Sequence, residues 1–83
     1  MKNLAQFKKA LTVGVKVNII NHARPELSRN TEVLHAQSNS VCFDLFGKPS
    51  WFEFPKATNY APVNDKTGNI LFAGNVVMTI SII

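Results

Sequence analysis

A single cysteine, Cys42, in a chain of 83 residues excludes an internal disulfide and fits a reducing compartment. Long apolar runs are also missing. Nothing approaches the stretch of about 18 residues that crosses a bilayer as a helix, and Met1–Lys9 lacks the unbroken apolar core of a secretory signal, so the expectation is a soluble, cytoplasmic protein with no membrane association. The 4 glycines stand apart at prospective turns instead of clustering into a phosphate-cradling loop. The 2 histidines, the lone cysteine and the scattered carboxylates lack zinc-ligand spacing, so neither a metal nor another cofactor is expected. His35 and Cys42 fall opposite one another on prospective neighbouring strands, where an imidazole can activate a thiol. No third orienting group or oxyanion hole accompanies them, so no catalytic residue is assigned and the protein is not expected to be an enzyme.

Acidic residues are scarce. Five Asp and Glu stand against 9 Lys and Arg, a net charge of +4 that draws in a polyanion or an acidic protein, or serves solubility alone. Residues 1–83 read as one domain, since no linker, repeat or low-complexity tract divides them. A chain of this size buries only about 60% of its unfolded surface, so any extended apolar face left uncovered is costly.

The aromatic residues gather in one stretch. Ser40–Pro55 contains Phe43, Phe46, Phe52, Phe54 and the only Trp, Trp51, with period-2 alternation broken once by Gly47-Lys48-Pro49, the pattern of a β-hairpin. Before it, Asn3 is positioned to cap a helix of about nine residues whose apolar stripe is Leu4, Phe7 and Leu11, too short to persist unless docked on a sheet. Val15–His22 alternates as a strand, and 23–30 reads as a loop carrying Arg24 and Arg29. Thr31–Gln37 pairs through a Ser38-Asn39 turn with Ser40–Phe46. This register sets Leu34 against Phe43 and Ala36 against Val41 on the core face, and His35 against Cys42 and Val33 against Asp44 on the other.

A hairpin loop of even length keeps that parity, so Phe52 and Phe54 point inward while Trp51 and Glu53 join His35 and Cys42 outside. Residues 58–65, with Pro62, read as an irregular crossing. Ile70–Ala73 and Val76–Ile83 then form a closing hairpin about Gly74-Asn75. The last strand is apolar enough to aggregate as an open edge, so it is expected to be central, to close a barrel, or to pair with a second copy. One short N-terminal helix and about six strands on short turns predict a mainly β fold, a small strongly bent antiparallel sheet or barrel of SH3-like or OB-like type.

The segments Val13-Gly14-Val15-Lys16-Val17, Asn21-His22 and Ser50-Trp51-Phe52-Glu53-Phe54-Pro55-Lys56-Ala57 resemble small uncharacterised proteins encoded on phages and integrated mobile elements. That resemblance implies no activity and transfers no functional residue. It implies a setting among accessory genes of mobile DNA, often linked to nucleic-acid handling or host defence.

Trp51 is the most informative single residue. On the outer side of the sheet, near Lys48 and Lys56, it can stack a base while the lysines meet phosphates. Equally, it can be covered by 58–65, or serve as a hot spot in a protein contact. Arg24 and Arg29 extend a basic surface if the fold gathers them. The expected function is a small non-enzymatic binding module contacting single-stranded nucleic acid, the alternative a protein-interaction or homo-oligomerising module joined through the C-terminal strand.

Overall fold

Asn3 caps the one α-helix, α1 (Leu4–Ala10), its side-chain oxygen accepting a 2.9 Å hydrogen bond from the Gln6 backbone N–H. The computed structural model describes all residues from Met1 to Ile83. Phe7 and Leu11 of the apolar stripe are buried, and Gly14, at φ +89°, turns the chain into the sheet. No helix is long and apolar enough to cross a membrane.

The sheet has 7 strands: β1 (Lys16–Asn21), β2 (Arg29–Ala36), β3 (Ser40–Leu45), β4 (Lys48–Glu53), β5 (Tyr60–Asn64), β6 (Thr67–Phe72) and β7 (Asn75–Ile82). Their order is β4-β3-β2-β1-β7-β6-β5, with every pair of neighbours antiparallel. The apolar C-terminal strand is therefore internal, hydrogen-bonded to β1 on one side and β6 on the other. An odd number of alternating strands leaves the two edges, β4 and β5, running the same way. The antiparallel ladder cannot close on itself, and the sheet stays open.

Helix α1 packs where the chain passes from one edge to the other. Phe7 packs edge-on against Phe54, just past β4, at 5.8 Å, and against Tyr60, the first residue of β5, at 4.9 Å. The Cα radius of gyration, 11.6 Å, is that of a compact chain of this length, about 12 Å. Much of the bend lies in β2, whose first half (Arg29–Glu32) pairs with β1 while its second half (Val33–Ala36) pairs with β3.

The observed fold is thus the bent antiparallel sheet and not the closed barrel, and three local expectations need correction. His35 faces Cys42 and Ala36 faces Val41 as the hairpin arithmetic requires, but a bulge between Val33 and His35 places Val33, not Leu34, opposite Phe43 and buries it. The turn between β3 and β4 is Phe46-Gly47, at φ 55° and 80°, so β4 begins at Lys48 and contains Pro49, which an edge strand tolerates. Residues Tyr60–Asn64, expected to be irregular, form the other edge strand, with Pro62 again at an edge.

Gly68 of β6 has a steric reason to be glycine, because a Cβ there would lie 2.4 Å from Tyr60 Oη. The hydroxyl end of the Tyr60 ring occupies the space a side chain at Gly68 would take, a packing that offsets the missing side chain. Tyr60 Oη donates to the Met1 carbonyl at 2.9 Å, and the Met1 amino group donates to the carbonyls of Asn64 and Asp65.

Burial pushes the Tyr60 hydroxyl above its ordinary value of 10.0. The folded protein then holds this proton at pH values where the unfolded chain has released it. The associated stability is intact below about pH 10 and is lost as pH rises through the folded value. We expect urea-unfolding stability to fall more steeply above pH 10 for the wild type than for Tyr60→Phe, which at neutral pH loses about 1 kcal/mol with its hydrogen bond. Identical alkaline slopes in the two proteins would contradict this.

Candidate nucleic-acid interface

Trp51, Cys42 and His35 are consecutive cross-strand neighbours on β4, β3 and β2, and so share the outer face. The indole and imidazole rings stack at 6.1 Å and 18°, with Cys42 fully buried. The cysteine is thereby a packing residue on the outer side of the sheet, its thiol 3.9 Å from the Phe43 carbonyl. Residues 58–65 do not cover Trp51, which remains 52% exposed.

The expected flanking of Trp51 by lysines is not what the register delivers. Lys48 pairs with Leu45, whose face is the inner one, while Asp44 and Glu53 fall on the face of Trp51. Lys56 is exposed beyond the end of β4. Arg24 lies in the loop after β1, in a 3.2 Å ion pair with Glu26 that is exposed at both ends and of little energetic weight. Of the five residues singled out from sequence, Trp51, Lys48, Lys56, Arg24 and Arg29, the fold sets only Arg29 directly against an exposed aromatic ring, and that ring is Phe46.

Arg29 opens β2 opposite Ile19, on the inner face. Its guanidinium carbon lies 3.6 Å from the centre of the Phe46 ring, and its Nε and Nη1 are buried without a hydrogen-bond partner. Phe46 is 62% exposed, held in the left-handed region by the tight turn. Between the start of β2 and the end of β3 the ladder is interrupted, and the Thr31 hydroxyl bridges to the Asp44 carbonyl. The interruption leaves a cleft of about 370 Å³ with Arg29 and Phe46 in its wall and Lys16, Glu32 and Asp44 beside them.

Neither acid forms an ion pair with Arg29. A cation–π contact contributes about 0.5–2 kcal/mol, whereas each buried donor left unmade costs about 1–3 kcal/mol, so the stacking alone does not offset the desolvation. The guanidinium is a group suited to accepting an oxyanion.

Phe46 was hidden in the sequence by its position at the end of an alternating apolar run, which reads as strand. The signal that reveals it is the dipeptide Phe46-Gly47 midway between paired strands, where a two-residue turn projects both residues from the tip. Compared with known proteins, the chain matches no protein-family model, no curated protein and no solved structure.

Proposed function

We propose that the protein is a small non-enzymatic binding module that contacts single-stranded nucleic acid through the tip of the β3–β4 hairpin. The observation that supports this reading is the Arg29–Phe46 pair, an exposed aromatic ring backed by a guanidinium with two unpartnered donors. A base stacks on the free face of Phe46, a phosphate oxygen meets Arg29, and Lys16 at the cleft supplies a second cation. A strand face with the loops beside it is the surface that OB-folds offer to an oligonucleotide, and the net charge of +4 favours such a ligand. The likeness of Ser50–Ala57 to phage and mobile-element proteins supplies a setting in which such contacts are common.

A labelled single strand of about 16 nucleotides, the upper site size of one OB fold, tests the reading across a salt series. Phe46→Ala should weaken binding by about 1–3 kcal/mol at every salt concentration. Arg29→Ala should reduce the salt slope by about one, with Lys48→Ala and Lys56→Ala acting only through that slope. Absence of binding at low salt would overturn the proposal.

A second reading has its own observation. Trp51 is half exposed on the outer face, where the register brings neither Lys48 nor Lys56 beside it, and an exposed Trp without flanking cations suits a protein contact. If Trp51→Ala leaves oligonucleotide affinity untouched yet shifts the elution of the wild-type protein on a sizing column, the outer face is a homo-oligomer contact.

A further inference from the structure

A second cavity, of about 150 Å³, opens on the inner face of the sheet. Ile19, Phe43, Leu45, Phe52 and Met78 of the inner face wall it, with Leu27 of the loop between β1 and β2. No residue of α1 contributes, so this end of the inner face lacks the helical cover that the other end has. Leu27, Leu45, Phe52 and Met78 are only partly buried, so the cavity is open to solvent. Its lining shares no residue with that of the Arg29 cleft, but the two are neighbours along the chain and the ladder: Ile19 is the cross-strand partner of Arg29, and Leu45 is the residue before Phe46.

Two polar groups face it. Asn21 opposes Met78 and Ser50 opposes Phe43, which puts both on the inner side of the sheet. Asn21 Oδ1 accepts from the Arg24 N–H at 2.9 Å, which fixes the amide and leaves its Nδ2 donor free. The Ser50 hydroxyl has no partner within the chain and can donate or accept. An apolar chamber with a few convergent polar groups is the usual form of a site for a flat heterocycle.

We infer that this chamber receives the base of one nucleotide, a pyrimidine, whose adjoining phosphate lies on Arg29. The inference rests on the nucleic-acid reading above and adds a base-insertion site to it. Size favours one ring: a cavity of about 150 Å³ has the volume of one that takes up benzene, so a single six-membered ring fills it and the second ring of a purine is left in its open mouth. Chemistry agrees with the size. The carbonyl oxygens of thymine or uracil accept from Asn21 Nδ2, the ring N–H or a second carbonyl pairs with Ser50, and the tilted Phe43 and Phe52 rings, 6.4 Å apart, supply the apolar wall.

The experiment compares three labelled single strands of equal length, about 16 nucleotides, at low salt on Phe46→Ala, which lacks the stacking ring of the hairpin tip: oligothymidylate, oligoadenylate and a strand of abasic sites with the same phosphate count. Oligothymidylate should bind at least about tenfold more tightly than the abasic strand, a gap of about 1.4 kcal/mol, and more tightly than oligoadenylate. Added to Phe46→Ala, Ser50→Leu, which fills the chamber from an edge strand, should bring oligothymidylate down to the affinity of the abasic strand. If that variant does not fold, the comparison of the three strands on Phe46→Ala decides alone. Equal binding of oligothymidylate and the abasic strand, or tighter binding of oligoadenylate, overturns base insertion while leaving the nucleic-acid reading standing. Failure of all three strands to bind the wild type overturns both.

Discussion

Removal of Met78–Ile83 is expected to leave the chain unfolded. The deleted residues form most of β7, which joins the two halves of the sheet: Ile82, Ile80 and Met78 pair with Val17, Ile19 and Asn21 on one side, while Ile80 and Met78 pair with Gly68 and Ile70 on the other. Without them β5 and β6 become a lone hairpin, a unit that is marginal at best in water, and the inner faces of Val17, Ile19 and Ile70 lose their cover. Ile80 alone is fully buried, and burial of such a side chain is worth about 1.5–3 kcal/mol against a total stability of about 5–15 kcal/mol. Circular dichroism and amide dispersion of the truncated chain check this. A soluble truncate with a cooperative thermal transition would show that β1–β4 with α1 stands by itself.

What could be read in the sequence follows from the range of each signal. The Asn3 cap and the Leu4, Phe7, Leu11 stripe are local, and both appear in the structure. Parity across a two-residue turn is also local, so Trp51 is outside and Phe52 is partly buried against the core. The same arithmetic carries Lys48 to the inner face, since it pairs with Leu45 across the turn, and the trio of Lys48, Trp51 and Lys56 separates for that reason. The bulge in β2 is not local. It inserts one residue where the strand passes from β1 to β3, and only the demand that the sheet bend there determines whether Val33 or Leu34 meets the core.

Strand β5 escaped because Pro62 and the lack of clean alternation in Tyr60–Asn64 argue against a strand, an argument that holds for central strands but not for edges. The Arg29–Phe46 contact combines both limits. Phe46 needs the turn position and Arg29 needs the early start of β2, and neither residue alone carries a signal for the other.

Phe7→Ala is expected to cost about 3–5 kcal/mol, a large fraction of the stability of a domain this small. Phe7 has no exposed surface and packs against the aromatic rings on either side of the passage between the edges, Phe54 beyond β4 and Tyr60 at the start of β5. The passage has no ladder of its own, because two edges running the same way cannot continue the antiparallel pattern. Side-chain packing from α1 therefore does what hydrogen bonds do between the other strands, and truncation to alanine removes the packing without offering a substitute. For a domain of about 60–100 residues each kcal/mol moves the midpoint by about 4–8 °C, so the thermal transition should fall by about 12 °C or more, while Phe7→Leu, which keeps most of the volume, should lose under about 1.5 kcal/mol. Hydrogen exchange locates the damage. The amides of β4 and β5 should lose protection together in Phe7→Ala, ahead of those in β1 and β7, because the two edges share one plug. A midpoint lowered by only a few degrees, or exchange that rises in one edge and not the other, would show that the passage is held by something other than this ring.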